Sequence, residues 1–298
     1  MLTWKPLHFY ITIMAAVGIW AGNYAYFEAA QMNEPVFLDH YYETYSGERE
    51  YLTFYYLANK QDTSTINYVE FDGIALSGPE DPEVIAQNEV VDEFQHQYIR
   101  SITLRIPDPP REKVKNGVWQ FNTMTVYFSD GRTQIAEIGL VKVSPFPKKS
   151  PFEFPVGGGS NQNREGQEML ATENLQIDDI TSTFPILDNL LQVKFHNGKR
   201  SEDNSYEDFS KTLNADWSKI PGTLTPELTY PVLIKRNDTI SMFVRPEKKL
   251  NVYVQCAIHL KGTDERGETV HGQFRIQMTP ELHAKDIQNI MAEKSSIK

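Results

Sequence analysis

The sequence predicts a mainly β protein in which an N-terminal transmembrane helix is followed by two tandem β-sandwich domains. Three observations predict this. One long apolar run lies near the N-terminus. Short runs rich in Val, Ile, Thr, Tyr and Phe, separated by turn-forming residues, fill most of the remaining chain. Two stretches far apart in the sequence also resemble each other, which indicates a repeated unit.

The apolar run, residues 7–27, contains no Asp, Glu, Lys or Arg. A helix of this length is about 31 Å long, close to the roughly 30 Å hydrocarbon thickness of a bilayer. Trp and Tyr side chains lie at both of its ends, as they do at a membrane interface. Lys5 precedes the run, whereas only acidic charges follow it before Arg49. The positive-inside rule therefore predicts a single-pass protein of the cell membrane, with residues 1–6 in the cytoplasm and the C-terminal bulk outside.

Two other interpretations of residues 7–27 are open at the level of sequence. A cleaved signal peptide needs a basic start, a shorter apolar core and a small-x-small cleavage site. Here one lysine precedes a longer run, and no clean cleavage site follows it. A buried core helix would need helical partners that the later sequence does not offer. The retained anchor is therefore the favoured interpretation.

The net charge and the cysteine content limit which partners and which cellular compartments fit this chain. The formal net charge of −11 argues against a nucleic-acid partner, because phosphate backbones bind to Lys and Arg surfaces. Cys256 is the only cysteine, so no intramolecular disulfide can form. An exported chain this poor in cysteine is compatible with a bacterial cell surface, and less so with a small disulfide-stapled module.

Residues 34–144 are predicted to form the first β-sandwich domain. The predicted strands are residues 36–45, 51–58, 66–71, 98–106, 119–128 and 133–143. Asp130-Gly131 predicts a tight hairpin between the last two, because this pair readily adopts the positive φ angles of such a turn. Between the strands, residues 79–97 carry a partial helical stripe behind Pro82, which predicts a short helix or an irregular crossover.

Residues 145–168 are predicted to be a linker. Proline density gives way to Gly157-Gly158-Gly159-Ser160 and then to polar residues, and no periodicity survives. Such a segment is stiff first and flexible afterwards, which predicts a flexible joint between two domains. The glycine run is not followed by the Gly-Lys-Ser/Thr of a phosphate-binding loop.

Residues 169–280 are predicted to form the second β-sandwich domain. The predicted strands are residues 175–184, 190–195, 229–236, 239–246, 250–260 and 269–278. An inserted helix is predicted over 205–219, because Tyr206, Phe209, Leu213 and Trp217 are spaced three and four apart in one apolar stripe. Residues 281–298 predict a short C-terminal helix and tail that packs on the second domain or frays.

The repeat consists of residues 115–145 and 249–280. In each, a strand rich in aromatic and aliphatic residues meets a Gly-containing turn, and a second strand ends in a polar residue and proline. Duplication would give two copies of one fold, and the fold we predict is a pair of immunoglobulin-like sandwiches. In the second copy the apolar residues of both strands are even-numbered, so Cys256 is predicted to point inward as a small core residue.

No catalytic or cofactor-binding motif is present, which predicts a protein that is not an enzyme and has no cofactor. There is no G-x-S-x-G and no cysteine beside an accessible histidine. His259 and His271 are predicted on the outward face of one hairpin as a weak candidate metal pair. Zinc requires a third ligand, so two solvated histidines are the favoured interpretation. The acidic residues 201–208 lack the spacing of a calcium loop, and favour helix N-terminal charge.

Aromatic runs in the first two strands give the best candidate for a contact surface. Aromatic residues in adjacent strands are more often half-buried sheet residues than a contact surface. Neighbouring rings in a strand nevertheless point to opposite faces of a sheet, so some of them are expected outside. The predicted ligand or partner surface comprises Tyr41, Tyr42, Tyr45, Tyr55 and Tyr56.

These features predict a non-catalytic, membrane-anchored, extracytoplasmic interaction or scaffold subunit of a membrane or cell-envelope assembly. Its expected partners are other membrane or envelope proteins. The alternative is a cell-surface module that binds a glycan or peptide through the exposed tyrosines. A third hypothesis is a hydrolase whose residues come together from distant loops, which sequence spacing does not reveal.

Overall fold

The computed structural model describes most of the chain, and within that part the protein is mainly β, as predicted. The described ranges are residues 6–46, 51–77, 87–107, 109–145, 150–160, 163–199 and 206–296. The α-helices are α1 (Pro6–Ala29), α2 (Tyr206–Asn214) and α3 (Ala284–Ser296). The strands are β1 (Val36–Phe37), β2 (Asp39–Tyr45), β3 (Tyr51–Asn59), β4 (Ile66–Phe71), β5 (Ile74–Ser77), β6 (Gln87–Glu93), β7 (Gln97–Arg105), β8 (Trp119–Phe128), β9 (Thr133–Ser144), β10 (Phe152–Ser160), β11 (Arg164–Ala171), β12 (Leu175–Ser182), β13 (Leu191–Lys199), β14 (Thr223–Leu224), β15 (Val232–Ile234), β16 (Asp238–Pro246), β17 (Val252–Asp264) and β18 (Thr269–Met278).

The first sandwich consists of two sheets around one core. One sheet has the strand order β1-β3-β7-β6, and the facing strands are ordered β2-β9-β8-β4-β5. Strand β8 shows why the sequence folds this way, because Trp119, Phe121, Met124, Val126 and Phe128 are buried while the residues between them are exposed or half-buried. A strand that alternates in this way presents one apolar face, and the two apolar faces bury each other.

His40 stabilises the point where the chain changes from one sheet to the other. Strand β1 pairs with β3, whereas β2 pairs with β9, so the chain leaves β3 between the two. The backbone N–H of Tyr55, next along β3, donates to Nε2 of His40 at 2.9 Å, and Nδ1 of His40 lies 3.1 Å from the carbonyl oxygen of Ile138. The imidazole is fully buried, and burial lowers the pKa of His40 to about 3. His40 is therefore a neutral core residue.

Gly139 makes the close approach of β2 and β9 possible. Its φ is +88°, and a Cβ added there would lie 2.5 Å from the backbone N and O of His40. Only glycine satisfies both conditions, because other residues carry a Cβ and rarely adopt this φ.

The second sandwich is built in the same manner around a second core. One sheet is ordered β10-β11-β16-β13-β14, and it faces β15, β12, β17 and β18. Phe184 and Phe274 are among the largest side chains buried in this core. Cys256 is 3% exposed within it, which confirms its predicted inward orientation. Burial raises the pKa of the Cys256 thiol, so it is a core group and not a nucleophile.

The two sandwiches share one continuous sheet. Strand β17 pairs with β18 along one edge, and along its other edge it pairs with β12 and, in parallel, with β2 of the first sandwich. Because β2 also pairs with β9, hydrogen bonds run without a break from one sandwich into the other.

The predicted flexible joint over 145–168 is wrong wherever those residues are described. Strands β10 and β11 occupy most of it and pair with each other, and β11 pairs with β16. The predicted start of the second unit at residue 169 therefore leaves out most of its first hairpin. Residues 146–149 and 161–162 lie outside the described part.

The glycines of this segment serve helix packing. A Cβ added at Gly166 would lie 2.9 Å from Cζ of Phe209 and 3.0 Å from Cδ1 of Leu213, so α2 can lie against the sheet only because this position has no side chain. Helix α2 lies within the predicted range 205–219, and a 3-10 turn at Trp217–Lys219 continues it.

Two other predictions differ from the structure. In the predicted helix or crossover over 79–97, residues 87–93 form edge strand β6, while residues 78–86 are outside the described ranges. Helix α3 packs on the first core and not on the second, since Leu282, Ile287 and Ile290 are buried there. The chain thus returns from the second sandwich to the first.

Helix α1 covers the predicted span over 7–27. Among the described residues, however, no helix is long and apolar enough to cross a membrane, and the predicted transmembrane span is corrected accordingly. The physical reason lies in the composition of the run, because His8, Asn23 and several tyrosines dilute the aliphatic residues.

Candidate interaction site

Helix α1 leaves its apolar side chains uncovered. From residue 8 to residue 26 every side chain is exposed, including Met14 at 72%, Trp20 at 68% and Ile19 at 66%. Apolar residues lie on all sides of this helix and not on one stripe. Helices that are apolar all round are normally buried, either in a protein core or in lipid. Ten of the seventeen large apolar side chains that are exposed in the described part of the protein lie on α1.

The last turns of α1 fasten it to the first sandwich. The ring of His96, in the turn between β6 and β7, makes edge contacts with Tyr26 and Phe27 at centroid distances of 5.8 and 5.6 Å. Nε2 of Gln97 donates to the carbonyl oxygen of Ala30 at 2.7 Å. These contacts fix where α1 leaves the body of the protein.

A cavity of about 780 Å³ lies at this attachment point, between the end of α1, the 94–97 turn, β9 and α3. Its apolar walls include Phe94, Ile287 and Met291, and several amide side chains line it as well. The lining amides are those of Gln31, Asn33, Gln95, Gln97, Gln134 and Gln288. Glu34, Glu137 and Lys294 line it too. Apolar walls with a few polar groups are typical of binding sites for small molecules or peptide side chains.

The structure does not expose the predicted tyrosine surface. Tyr42, Tyr45 and Tyr56 are buried, and Tyr41 and Tyr55 are half-buried. The hydroxyl group of Tyr42 donates to the carbonyl oxygen of Thr53 at 2.7 Å, and burial raises its pKa. Burial also raises the pKa of Tyr56 to about 12.

Tyr42 and Tyr56 are covered by the core of the first sandwich, and the other three tyrosines are covered because they lie where the two sandwiches meet. Tyr55 stacks on Tyr253 of the second sandwich strand β17 at 3.9 Å, and Tyr41 packs against Phe184 at 5.5 Å. The hydroxyl group of Tyr45 donates to Oε1 of Gln273 at 2.8 Å. The aromatic run therefore builds the junction of the molecule and not a contact surface.

An exposed aromatic pair occurs elsewhere, on the outer face of the first sandwich. Tyr68 and Tyr127 stack at 4.1 Å with an interplanar angle of 13°, and Tyr68 is 37% exposed. They are cross-strand neighbours on β4 and β8. Sequence reasoning missed this pair, because the register between β4 and β8 is not readable from either strand alone.

A polar cluster joins the sandwiches beside the tyrosines. Oε2 of the buried Glu43 accepts hydrogen bonds from the hydroxyl group of Thr183 and from the backbone N–H of Ala257, the latter at 3.1 Å. Nε2 of His259 lies 2.8 Å from Oγ1 of Thr183 and 3.4 Å from Oε2 of Glu43. Nζ of Lys142 donates to the carbonyl oxygen of Thr183 at 2.6 Å.

The charge on Glu43 is held in place by these partners. Burial alone would raise the pKa of Glu43, but the hydrogen bonds and charge of His259, with those from Thr183 and Ala257, lower it below its usual range. In a catalytic triad the carboxylate bonds the imidazole nitrogen opposite the hydroxyl group. Here both groups meet the same nitrogen, Nε2, so the cluster has the geometry of a structural bridge.

The predicted histidine pair is not part of a metal centre in the described residues, where no three His, Cys, Asp or Glu side chains are grouped for a metal ion. His259 stands opposite Gln273, and His271 stands one same-face pair away, opposite Lys261. His271 is exposed. Of the predicted acidic cluster over 201–208, residues 201–205 lie outside the described part of the chain.

No family model and no curated protein matches this sequence. Three solved structures align with most of the chain. Fibronectin(III)-like modules of Clostridium thermocellum CbhA share 10% identity over 83% of this chain and 94% of that chain, with a TM-score of 0.20. A chicken TCR shares 12% over 79% and 98%, with a TM-score of 0.21. A teleost fish polymeric Ig receptor ectodomain shares 10% over 84% and 100%, with a TM-score of 0.23. Similarity at this level carries no argument about fold or function.

Proposed function

We propose that this protein is a non-catalytic interaction or scaffold subunit that attaches to a membrane through α1 and carries its β-sandwiches outside the cytoplasm. One observation carries the proposal, namely the uncovered apolar surface that runs around α1 from residue 8 to residue 26. Apolar surface of this extent is unfavourable in water, so a surrounding of lipid or of apolar partner helices stabilises it. The expected partners are other membrane or envelope proteins.

We further propose that both sandwiches are immunoglobulin-like. The order of the strands supports this, because β1 pairs in one sheet and β2 continues in the other, parallel to β9. In the second sandwich β17 and β18 form a hairpin beside β12, as β8 and β9 do beside β4. On this proposal the first unit covers residues 34–144, and the second begins with β10 and ends at residue 280.

The scaffold part of the proposal is supported by the rigidity of the junction. A shared sheet, a layer of packed tyrosines and the Glu43 cluster connect the sandwiches, so their relative orientation is set by many contacts. Partners bound to the two sandwiches would be held at a fixed distance.

Membrane attachment is tested by flotation of the full-length protein with isolated membranes at physiological ionic strength. In the test variant Met14 and Trp20 are both changed to Glu, and Leu233→Glu is the matched control, because Leu233 is 69% exposed but lies on β15 of the second sandwich. We expect wild type and the control to stay with the membrane and the α1 variant to shift by at least about tenfold to the soluble fraction. Wild type that is soluble, or an α1 variant that stays with the membrane, would disprove the attachment.

The interaction and its location are tested in intact cells. In-cell crosslinking followed by native mass spectrometry is expected to recover the chain with a defined set of membrane or envelope proteins. Protease added outside the cells is expected to cleave the sandwiches while a cytoplasmic marker stays intact. A lone monomer after crosslinking, sandwiches protected from protease, or robust hydrolase activity would each contradict one part of the proposal.

The cavity at the root of α1 favours a second function, the binding of a peptide or glycan. Its volume and its lining, which joins apolar walls to amides and to the charged side chains of Glu34, Glu137 and Lys294, suit a polar peptide or glycan. Ala292 is exposed at the cavity wall, so Ala292→Trp would partly fill the cavity without disturbing the core. A peptide or glycan identified by array screening should bind this variant at least about tenfold more weakly, while Tyr206→Ala, on the second sandwich, should bind as wild type does. Equal binding to the Ala292→Trp variant would remove this function.

A further inference from the structure

A cleft of about 440 Å³ in the second sandwich concentrates positive charge in an acidic chain. It lies between the start of β11, the end of β16 and the segment that leads to α3. Its basic residues are Arg164, Arg245, Lys248 and Lys249, and its acidic residues are Glu247 and Glu281. Since the whole chain carries a net charge of −11, a local excess of basic residues at one concave site runs against the overall balance.

Arg245 is held in place by groups that carry no charge. Its guanidinium carbon lies 4.7 Å from the ring centre of Trp217, and its Nε and Nη2 donate to Oε1 of Gln192 at 3.0 and 2.8 Å. A guanidinium group has five N–H donors, so the bonds to Gln192 leave three of them. Arg245 has no carboxylate partner at ion-pair distance in the described part of the chain.

Arg164, on the neighbouring strand β11, is also held by uncharged groups. Its Nη1 donates to the carbonyl oxygen of Leu213 at 3.3 Å and to that of Ala215, at the end of α2. It too forms no ion pair with any described carboxylate. Glu165 pairs with Val244, so Arg164 and Arg245 lie side by side on β11 and β16. Burial and then the charge of Arg164 lower the pKa of Arg245, while the charge of Glu247 raises it.

We propose that this cleft binds a phosphate group, with Arg164 and Arg245 as its fixed ligands and Lys248 as a mobile third cation. Two guanidinium forks that are already oriented match the oxygens of a tetrahedral phosphate, and they hold it with charge-assisted hydrogen bonds. The bound anion also removes the repulsion between the two arginines. Lys248 is exposed at the edge of the cleft and can turn toward the anion. Lys249 contributes less, because its Nζ is paired with Asp286 at 2.6 Å.

The phosphate has two plausible sources, a phosphorylated solute or a phospholipid headgroup, and both present the same oxygens to the cleft. The inference does not depend on the membrane attachment proposed for α1. A phosphorylated solute would reach the cleft whether or not α1 contacts lipid.

The stacked Trp217 supplies a reporter for the test. Full-length protein is titrated with inorganic pyrophosphate at constant ionic strength while tryptophan fluorescence is followed, with sodium sulfate as the comparison anion. We expect a saturable change that the Trp217→Phe variant lacks. Arg245→Gln and Lys248→Gln should each weaken binding by about tenfold, since each removes one charged contact. Lys261→Gln is the control, because Lys261 is exposed on β17 away from the cleft.

Each outcome bears on the proposal. Saturable pyrophosphate binding that weakens in the two cleft variants and not in the control supports a solute site. If pyrophosphate gives no response, binding is measured to phosphatidylcholine vesicles with and without phosphatidic acid. Binding that requires both phosphatidic acid and Lys248 supports a site for a lipid headgroup. Lys248→Gln keeps the test valid if Arg245→Gln fails to fold. No saturable response to either probe, or equal binding by wild type and Lys248→Gln, would overturn the proposal.

Discussion

Helices α1 and α2 make opposite use of their apolar residues. Helix α2 carries one apolar stripe, and the chain itself supplies the surface that covers it, since Phe209 and Leu213 are buried against the strand that contains Gly166. Helix α1 is apolar on all sides, and nothing in the described chain covers residues 8–26. The fold provides a surface that buries the apolar side of α2, and it provides none for α1. This difference distinguishes a helix that packs within its own chain from one that needs an outside partner.

The largest expected effect of a substitution comes from truncating a phenylalanine in each helix. Phe209→Ala should destabilise the protein by about 3 kcal/mol, because it removes a buried ring and leaves a cavity. Phe9→Ala should leave the free energy of unfolding unchanged, because the ring of Phe9 is 52% exposed. Urea unfolding of both variants measures the difference. Comparable destabilisation by the two changes would show that α1 is packed on the protein after all.

Acid should act on the sandwich body and leave α1 intact. Burial lowers the folded-state pKa of His40 to about 3, whereas its ordinary value is 6.5. Between these values the unfolded chain binds a proton that the folded chain does not, so stability falls as the pH drops from about 6.5 toward 3. The slope from this residue approaches about 1.4 kcal/mol per pH unit.

The His40→Gln variant serves as the reference for this pH dependence. It should be less stable at neutral pH and should have a shallower acid dependence, while the lowered pKa of Glu43 leaves a smaller acid response in both proteins. Near-ultraviolet circular dichroism measures the tertiary packing of the sandwiches, and far-ultraviolet circular dichroism in micelles measures the helicity of α1. An unchanged slope in the variant would exclude His40 as the main acid-sensitive group.

Changing a glycine to alanine should have opposite effects at the two helices, at Gly166 beneath α2 and at Gly18 within α1. Gly166→Ala is expected to cost about 2 kcal/mol, because the new Cβ would lie 2.9 Å from Phe209. Gly18→Ala has nothing within 4 Å and should raise the stability of α1 by up to about 1 kcal/mol. Thermal unfolding measures the effect of Gly166→Ala, and the helical content in micelles measures the effect of Gly18→Ala. A neutral Gly166→Ala change would mean that α2 does not rest on this strand.

The smallest expected effect concerns the hydrogen bonds at the end of each helix. Nζ of Lys194 donates to the carbonyl oxygens of Trp217 and Ile220, both at 2.7 Å, and secures the chain after α2. Lys194→Met should lower global stability by about 1 kcal/mol. Gln97→Leu removes the bond to Ala30 at the end of α1. This variant should show faster amide hydrogen exchange at residues 26–31 and unchanged exchange in the second sandwich. Faster exchange in the second sandwich, with no change at residues 26–31, would show that the ends of the two helices are not stabilised independently.

The sequence allowed the fold class and most strands to be predicted because alternation is local information. Each of the twelve predicted runs contains a strand, and the Cys256 register is correct, since one residue of slip would have turned a whole strand outward. The inserted helix was predictable for the same reason, because its stripe repeats at helical spacing.

The other features of the structure could not be predicted from local sequence patterns, because they depend on residues that are distant in the sequence. The glycines of β10 and β11 have the composition of a linker, and the packing of α2 against Gly166 and the pairing of β11 with β16 involve residues that are distant in sequence. Some of the tyrosines of β2 and β3 were expected outside, yet Tyr41 packs against Phe184, Tyr45 bonds Gln273 and Tyr55 stacks on Tyr253, all more than 100 residues away in sequence. The cavity and the arginine cleft likewise combine residues from distant segments, so spacing carries no signal for either.

The parallel pairing of β2 has a mechanical consequence. A pulling force applied to α1 enters the body through β1 and β2, and β2 is bonded on one side to β9 and on the other to β17. Tension along β2 loads both ladders lengthwise, so their hydrogen bonds share the load and must rupture together instead of opening one after another. A subunit tethered by its N-terminal helix would therefore transmit tension to both sandwiches at once and yield only at high force.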